Sequence, residues 1–256
     1  MLPIENRGGT CVFYPERIQD ICVFCDEFDV SKGTGLFYEL FPELAEEKQV
    51  LDETPHHVLL PDIGPLTQDH LLVVSKEHVP SFASLPANQH EDCQSLADSV
   101  MSRMSGLHPE MQPVVFEHGV GTVNGQFIRC GGCGRTDHAH LHLLPVAQEK
   151  HHNLLDSFSA HNRNKLGFEE HTLTNPFAAG ELKSIVGDRP YLLIGDRQAG
   201  RVYIQNDTLE IPSQYIRTFL GNHLGIKNHN WKVMLAESPE VAETRIKITL
   251  KQWKNR

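Results

Sequence analysis

The sequence predicts a protein of the α+β class, and three observations predict it. Residues 138–145, His-Ala-His-Leu-His-Leu-Leu-Pro, alternate histidine with apolar residues at a period of two, as a strand does when one face is core and the other is not. Two runs rich in valine and leucine, residues 56–60 and 70–74, flank Pro61-Asp62-Ile63-Gly64-Pro65, which is turn chemistry. Between these runs and the histidine strand, Cys93, Leu96, Ala97, Val100, Met101 and Met104 recur at three and four residues and mark one helix over residues 84–106. Pro86 suits its first turn and Gly106 its stop. The stripe is core rather than a cofactor site, and the helix is expected to lie across the sheet.

Bulk properties narrow the class. A chain of 256 residues holds one large domain or two small ones. Hydrophobic residues at 39% and charged residues at 22% describe an ordinary globular protein. The net charge of -10 argues against coating a polyanion such as duplex DNA, which calls for clustered Lys and Arg. No apolar run approaches 18 residues, and the opening MLPIENRGGTCVF lacks a basic head before an apolar stretch. The expectation is a cytoplasmic protein with no membrane partner. Six cysteines in a chain this long read as reduced thiols or metal ligands, not as a secreted disulfide framework.

Along the chain, Cys22-Val23-Phe24-Cys25 has the spacing two thiolates need to share one tetrahedral zinc. A redox pair, or two unrelated buried cysteines, are the other readings, although no β-α-β context for redox chemistry surrounds it. Cys130-Gly131-Gly132-Cys133 repeats the spacing and allows a four-cysteine site with Cys22 and Cys25. Cys11 and Cys93 have no partner by spacing and read as packing. Residues 29–51, with Phe37, Tyr38, Leu40 and Leu44 among acids, read as an insertion carrying a short helix. Residues 112–117 form the next strand, ending in Glu117-His118-Gly119, where His118 either joins a site or is exposed. Directly before the histidine strand, the glycines of residues 130–136 let backbone N–H groups approach an anion closely, which suits a phosphate cradle.

After Pro145 the pattern changes. His151-His152 and the polar run to Asn175 read as loop with some helix, and residues 191–194 and 201–205 as a hairpin. Residues 211–217 open a helix with Ile216, Phe219, Leu220 and Leu224 on one face and Gly225 at its end, and Ile246, Leu250 and Trp253 suggest a last helix. At the start of the first of these, Ser213, Gln214 and Arg217 either reach a ligand or cap and solvate the helix. The expected division is a first domain over residues 1–147 and a smaller α+β unit over 148–256. The chain has no internal repeat and no low-complexity segment.

The histidine strand admits three readings. These are solvated rings, a three-histidine metal site, or a histidine nucleophile flanked by two histidines that set its tautomer and handle protons. Its residues 138–144 resemble, position for position, the His-φ-His-φ-His-φ-φ signature (φ apolar) of the histidine triad superfamily of nucleotide hydrolases and transferases. The resemblance covers residues 20–147 and implies a five-stranded, mainly antiparallel sheet with the 84–106 helix packed on it. It also implies roles. His140 would attack the α-phosphorus of a nucleotide, His142 would stabilise the phosphoryl oxygens, and His138 would bind zinc or orient His140. The zinc would be a staple held by Cys22, Cys25, His78 of Lys76-Glu77-His78, and His138. Asp62 would accept from ribose hydroxyls, with a turn-capping role as its alternative.

Two departures bear on the substrate. Glu117 stands where the commoner pattern often has Asn near the nucleotide, and a carboxylate there would repel a phosphate or accept from a sugar hydroxyl or an amine. The cradle of Gly132, Cys133, Gly134, Arg135 and Thr136 is one residue shorter than the usual Gly-Gln-Ser or Gly-Gln-Thr approach, with Arg135 or Thr136 as phosphate donor. His142, where uridylyltransferase-like members place Gln, favours hydrolysis of a nucleoside phosphoramidate or a dinucleoside polyphosphate. A nucleotidyl transferase with a specialised acceptor and a non-catalytic, zinc-stapled nucleotide binder are the alternatives. The partners implied are a small-molecule nucleotide, held by local donors despite the acidic charge, and a second copy of the chain in a homodimer. No nucleic-acid polymer is expected.

Overall fold

A computed structural model describes residues 22–28, 35–123, 126–128, 138–163, 167–204 and 211–254. The N-terminal part carries the helices Val23–Phe28 (α1) and Leu36–Leu40 (α2), then the strands Asp52–Glu53 (β1), His57–Pro61 (β2) and Leu71–Ser75 (β3). Helix Ala87–Leu107 (α3) leads to strand Met111–Gly119 (β4), a small hairpin of Gly121–Val123 (β5) and Gln126–Ile128 (β6), and the histidine strand His140–Ala147 (β7). Helices Gln148–His151 (α4) and Leu154–Arg163 (α5), strand Glu169–Leu173 (β8) and helix Ala179–Val186 (α6) follow. The chain ends with strands Tyr191–Gly195 (β9) and Gly200–Ile204 (β10) and helices Tyr215–Leu224 (α7), Trp231–Glu237 (α8) and Pro239–Lys254 (α9).

One eight-stranded sheet in the order β1-β2-β3-β7-β4-β9-β10-β8 organises these elements, with every neighbouring pair antiparallel. It is wider than the five strands expected. The outer edge of β4 offers unpaired backbone groups, and β9 takes it, with Phe116 opposite Ile194 and His118 opposite Leu192. The 148–256 segment, set apart in the sequence reading as its own unit, thus supplies three strands to the same sheet. β8 falls inside the polar run read as loop: its burial is exposed or partial except at Leu173, so the sequence there carries no apolar alternation. α6 and α8 were not expected either.

The two faces of the sheet have different duties. On one, Leu59, Val73, Val115, Leu141 and Leu143 pack against the stripe of α3 and against Leu182 and Val186 of α6. Each fully buried aliphatic side chain contributes about 1.5–3 kcal/mol, so this layer anchors the strands that carry the histidines. On the other face Val114, Phe116, Leu144, Val146, Leu192 and Ile194 pack on α5 and α7 through Phe158, Ile216 and Leu220. Toward β2 and β3 the same face is covered by Phe24 and Phe28 of α1, which pack on Val58, Leu60, Leu72 and Val74. Gln214, in the left-handed region at φ 58, begins α7, and Gly225 at φ 75 ends it. The start falls later than residue 211. No helix among the described residues is long and apolar enough to cross a membrane.

Candidate active site and metal centre

The period of β7 separates its side chains as the sequence requires. Ala139, Leu141 and Leu143 belong to the core beneath α3, while His138, His140 and His142 face α1 and the C-terminal helices. His140 and His142 stand on β7 and His138 just ahead of it, yet the structure gives the three rings three different settings.

His138 belongs to a cluster with the CxxC. Its Nδ1 lies 3.3 Å from Cys22 Sγ and 3.6 Å from Cys25 Sγ, and His78 Nδ1 lies 3.1 Å from Cys25 Sγ. One ligand atom from each of the four residues falls within 4.8 Å of all the others. Tetrahedral zinc with its usual bond lengths separates sulfur and nitrogen ligands by about 3.5 Å, so the set fits one metal ion. The proton inventory fits too. His138 Nε2 donates to Ser75 O at 2.6 Å, which leaves Nδ1 its lone pair facing the sulfurs. Burial pushes the Cys22 thiol up to about 12, a setting in which a cation is what stabilises the thiolate. These four residues can hold a metal; Cys130 and Cys133, the rival ligands, lie outside the described residues.

His140 is held by its own strand. A carbonyl oxygen only accepts, so the 2.6 Å contact of His140 Nδ1 with His138 O places the proton on Nδ1. Nε2 keeps its lone pair. Burial, with a further push from His142, takes His140 down to about 3 and keeps the imidazole neutral. His140 lines a pocket of about 730 Å3, counted with its open mouth, together with His142, Asp62 and Arg217. Phe24, Phe37, Leu60, Ile63, Leu72 and Trp231 make most of the remaining wall apolar.

His142 stacks on Phe116 with centroids 4.3 Å apart and planes 5° from parallel. Its Nδ1 lies 3.1 Å from His70 Nε2 and 3.3 Å from Asp62 Oδ2. Asp62 Oδ1 accepts from Gly64 N at 2.7 Å, an Asx turn that bears out its turn-capping alternative, and Oδ2 accepts from Arg217 Nη1 at 3.0 Å. Burial works to raise the Asp62 pKa, but the charge of Arg217, then His70 and His142, holds it well below the usual carboxylate range. Asp62, His70 and His142 also converge as a metal-ligand set would. The cation already at that carboxylate is the Arg217 guanidinium.

Two expectations need correcting. Glu117 is not at this site: its neighbour Phe116 faces His142, so the strand period turns Glu117 to the opposite face, under Phe82 and Tyr191. Burial raises it to about 7. Arg217 neither solvates α7 nor stands exposed, being 2% exposed and paired with Asp62 across 155 residues. Gln214 is also buried, accepting Trp231 N at 3.1 Å. His118 shares the face of Phe116; both its ring nitrogens are buried without a hydrogen-bond partner among the described residues, and burial pushes it down to about 4. The phosphate cradle of Gly132, Cys133, Gly134, Arg135 and Thr136 lies outside the described residues. His70 and Trp231 escaped the sequence reading as site residues, and Arg217 entered it only as one of two readings of a helix start, because no local spacing links them to the triad.

Residues 54–159 match the model of a family described as "Protein similar to CwfJ C-terminal", a family of histidine-triad-like domains. That stretch of the chain is similar to a histidine-triad-like domain. Among curated proteins, none matches the chain. Solved structures similar to it include yeast Ap4A phosphorylase in complex with Ap4A, 15% identical, covering 82% of this chain and 79% of that one at a TM-score of 0.46. A HIT family protein from Bacillus anthracis is 17% identical, covering 58% of this chain and 99% of that one at 0.34. The NitFhit protein of C. elegans is 21% identical, covering 45% of this chain but only 27% of its own, at 0.31. The matched residues run from just before β2 into α5, and Asp62, His78, His138, His140 and His142 fall within them.

Proposed function

We propose that this protein hydrolyses nucleotides at the α-phosphate through a covalent nucleotidyl-histidine, with a nucleoside phosphoramidate or a dinucleoside polyphosphate as substrate. The observation that carries this reading is the contact of His140 Nδ1 with the His138 carbonyl, which leaves Nε2 as the nucleophile in a pocket with an apolar wall suited to a nucleobase. Nε2 attacks phosphorus; a P–N bond forms as the bond to the leaving group breaks, and that group leaves with the bonding pair and takes up a proton. Water then attacks the same phosphorus, the P–N bond breaks, its electron pair returns to Nε2, and the water's proton goes to solvent. His142 stabilises the non-bridging oxygens.

In this reading Cys22, Cys25, His78 and His138 hold a structural zinc that ties α1 to β3 and β7. Four protein ligands would leave no open position, so the metal would fix the strand end and take no part in the chemistry. The homodimer implied by resemblance would have to pair other than through β4, whose outer edge β9 covers.

Mass-spectrometric detection of released mononucleotide from a panel of both substrate classes tests the reading, run with wild type and His140→Ala. Release by the wild type alone supports it, and a nucleotidyl adduct on acid-quenched wild type identifies the intermediate. Equal release by both proteins, or none by either, sinks it. The second reading, transfer to an acceptor other than water, is favoured by Arg217 and Trp231, which bring the C-terminal segment to the pocket wall. An adduct that forms but persists until an added nucleophile discharges it would select that reading.

A further inference from the structure

Arg217 is a buried guanidinium from the C-terminal segment set against the machinery of the triad. Nη1 donates to Asp62 Oδ2 at 3.0 Å, Nη2 to Gly64 O, and Nε to His229 O at 3.4 Å. Each of its three nitrogens thus donates to a fixed acceptor, and one of these, Asp62, lines the pocket with it. A charge buried this deeply needs good pairing to offset its desolvation, and the pairing here falls on the one carboxylate that faces His142.

The protons in this cluster can be assigned in sequence. Leu66 N donates to His70 Nδ1 at 3.1 Å, so the proton of neutral His70 sits on Nε2. That atom lies 3.1 Å from His142 Nδ1 and donates to it, which leaves the proton of His142 on Nε2. Asp62 Oδ2 competes, lying 3.3 Å from the same His142 Nδ1. Left alone, an anionic carboxylate at that distance draws a proton onto Nδ1, and a neutral His142 then turns a lone pair toward an anionic phosphate.

We propose that Arg217 is a positioning residue: by holding Asp62 Oδ2 it keeps His142 Nδ1 an acceptor, so that neutral His142 presents Nε2–H to the phosphoryl group under attack. The inference rests on the nucleotidyl-histidine reading above for its catalytic meaning, but the proton position it states does not. The groups facing His142 are His70 just before β3, Asp62 from the turn after β2, His140 from β7, Phe116 with His118 on its face of β4, and Arg217 from α7. Arg245 of α9 stands behind them, donating to Pro65 O and Leu66 O. Among these, burial lowers the pKa of His142, Asp62 opposes, and Arg217 adds to the lowering.

The test is two-bond 1H–15N NMR of the histidine rings at pH 8, without substrate, on wild type, Arg217→Ala and Arg217→Lys, with His142→Gln to assign the signal. The expected result is an Nε2–H tautomer in the wild type, an Nδ1–H or doubly protonated ring in Arg217→Ala, and restoration in Arg217→Lys. A wild type with the proton on Nδ1, or a folded Arg217→Ala with His142 unchanged, overturns the proposal. If Arg217→Ala does not fold, the double variant Arg217→Ala/Asp62→Asn removes both charges; it must show the Nε2–H tautomer, and Nδ1–H there also overturns the proposal. In turnover, wild-type kcat/KM should be level from pH 7 to 9, whereas Arg217→Ala should fall with rising pH, through kcat rather than KM, by about tenfold or more as His142 loses its donated proton. An inactive wild type whose tautomer responds to Arg217 as stated would sink the hydrolase reading and leave this one standing.

Discussion

The hydroxyl of Tyr191 donates to the carboxyl of Glu117, 74 residues earlier in the chain, while the other Glu117 oxygen accepts Phe82 N at 2.8 Å. The residue before it, Phe116, stacks on His142 on the other side of the sheet. One step along β4 therefore separates the face that carries His142 from the layer beneath α3, and a buried acid sits where the sequence suggests a ligand contact.

That acid should make stability depend on pH in an unusual direction. Burial raises Glu117 from 4.5 to about 7, so the folded state holds a proton that the unfolded state releases between these values. Its contribution is complete below pH 4.5 and is lost as pH rises to 7, a change of up to about 3 kcal/mol at about 1.4 kcal/mol per unit. Glu117→Gln, which keeps a carbonyl acceptor, should gain stability relative to wild type as pH rises from 5 to 8. Urea denaturation of both proteins at the two pH values measures this; a constant difference would show that Glu117 does not titrate.

Gly64 should be needed for its lack of a side chain. A Cβ there would lie 2.4 Å from Trp231 Cβ and 2.8 Å from Trp231 Cα, and the second of these is backbone. Gly64→Ala should cost about 1–3 kcal/mol and push α8 off the pocket wall. The check is thermal denaturation with nucleoside monophosphate titration: lower stability and weaker binding together, with neither expected if the turn relaxes freely.

Trp231 brings an aromatic face from the C-terminal segment to the pocket. Trp231→Ala should weaken nucleoside monophosphate binding about tenfold, the scale of one lost ring stack with its buried area, and should leave ribose 5-phosphate binding unchanged. Calorimetric titration of both ligands separates base contact from phosphate contact. Equal losses for the two would place the base elsewhere.

The Cys22, Cys25, His78 and His138 cluster should hold one zinc per chain. Cys25→Ser should lower metal content measured by plasma mass spectrometry and lower Tm by about 10 °C, as losing a few kcal/mol does in a chain of this size. A chelator should shift the wild type toward the variant and leave the variant where it is. A wild type free of metal after purification without chelator would remove the site.

Much of the triad half is legible in the residues because its signals are local. The period of two in residues 138–144 states which side chains share a face, and the spacing of Cys93, Leu96, Ala97, Val100, Met101 and Met104 states which helix covers the other one. The structure keeps both, and it brings Cys22, Cys25, His78 and His138 together as the resemblance implies. Glu117 misleads because a strand assigned by its end residues leaves the parity of each position open, and only the stacking of Phe116 on His142 settles which face Glu117 takes. β8 is hidden because its edge position buries little, so selection for an apolar face is weak there.

By itself the sequence determined the histidine strand, its core face and the long helix, while the nucleophile candidate came from the resemblance of residues 138–144 to a known signature. The first three depend on residues within a turn or two of one another, where backbone geometry alone converts spacing into direction. Tertiary structure alone decided that β9 continues the sheet from β4, and that Arg217 of α7 meets Asp62 across 155 residues to set the surroundings of His142. Pairings of that kind follow from how whole elements dock, and a buried charge finds its partner only when the layers that exclude water from both have already come together.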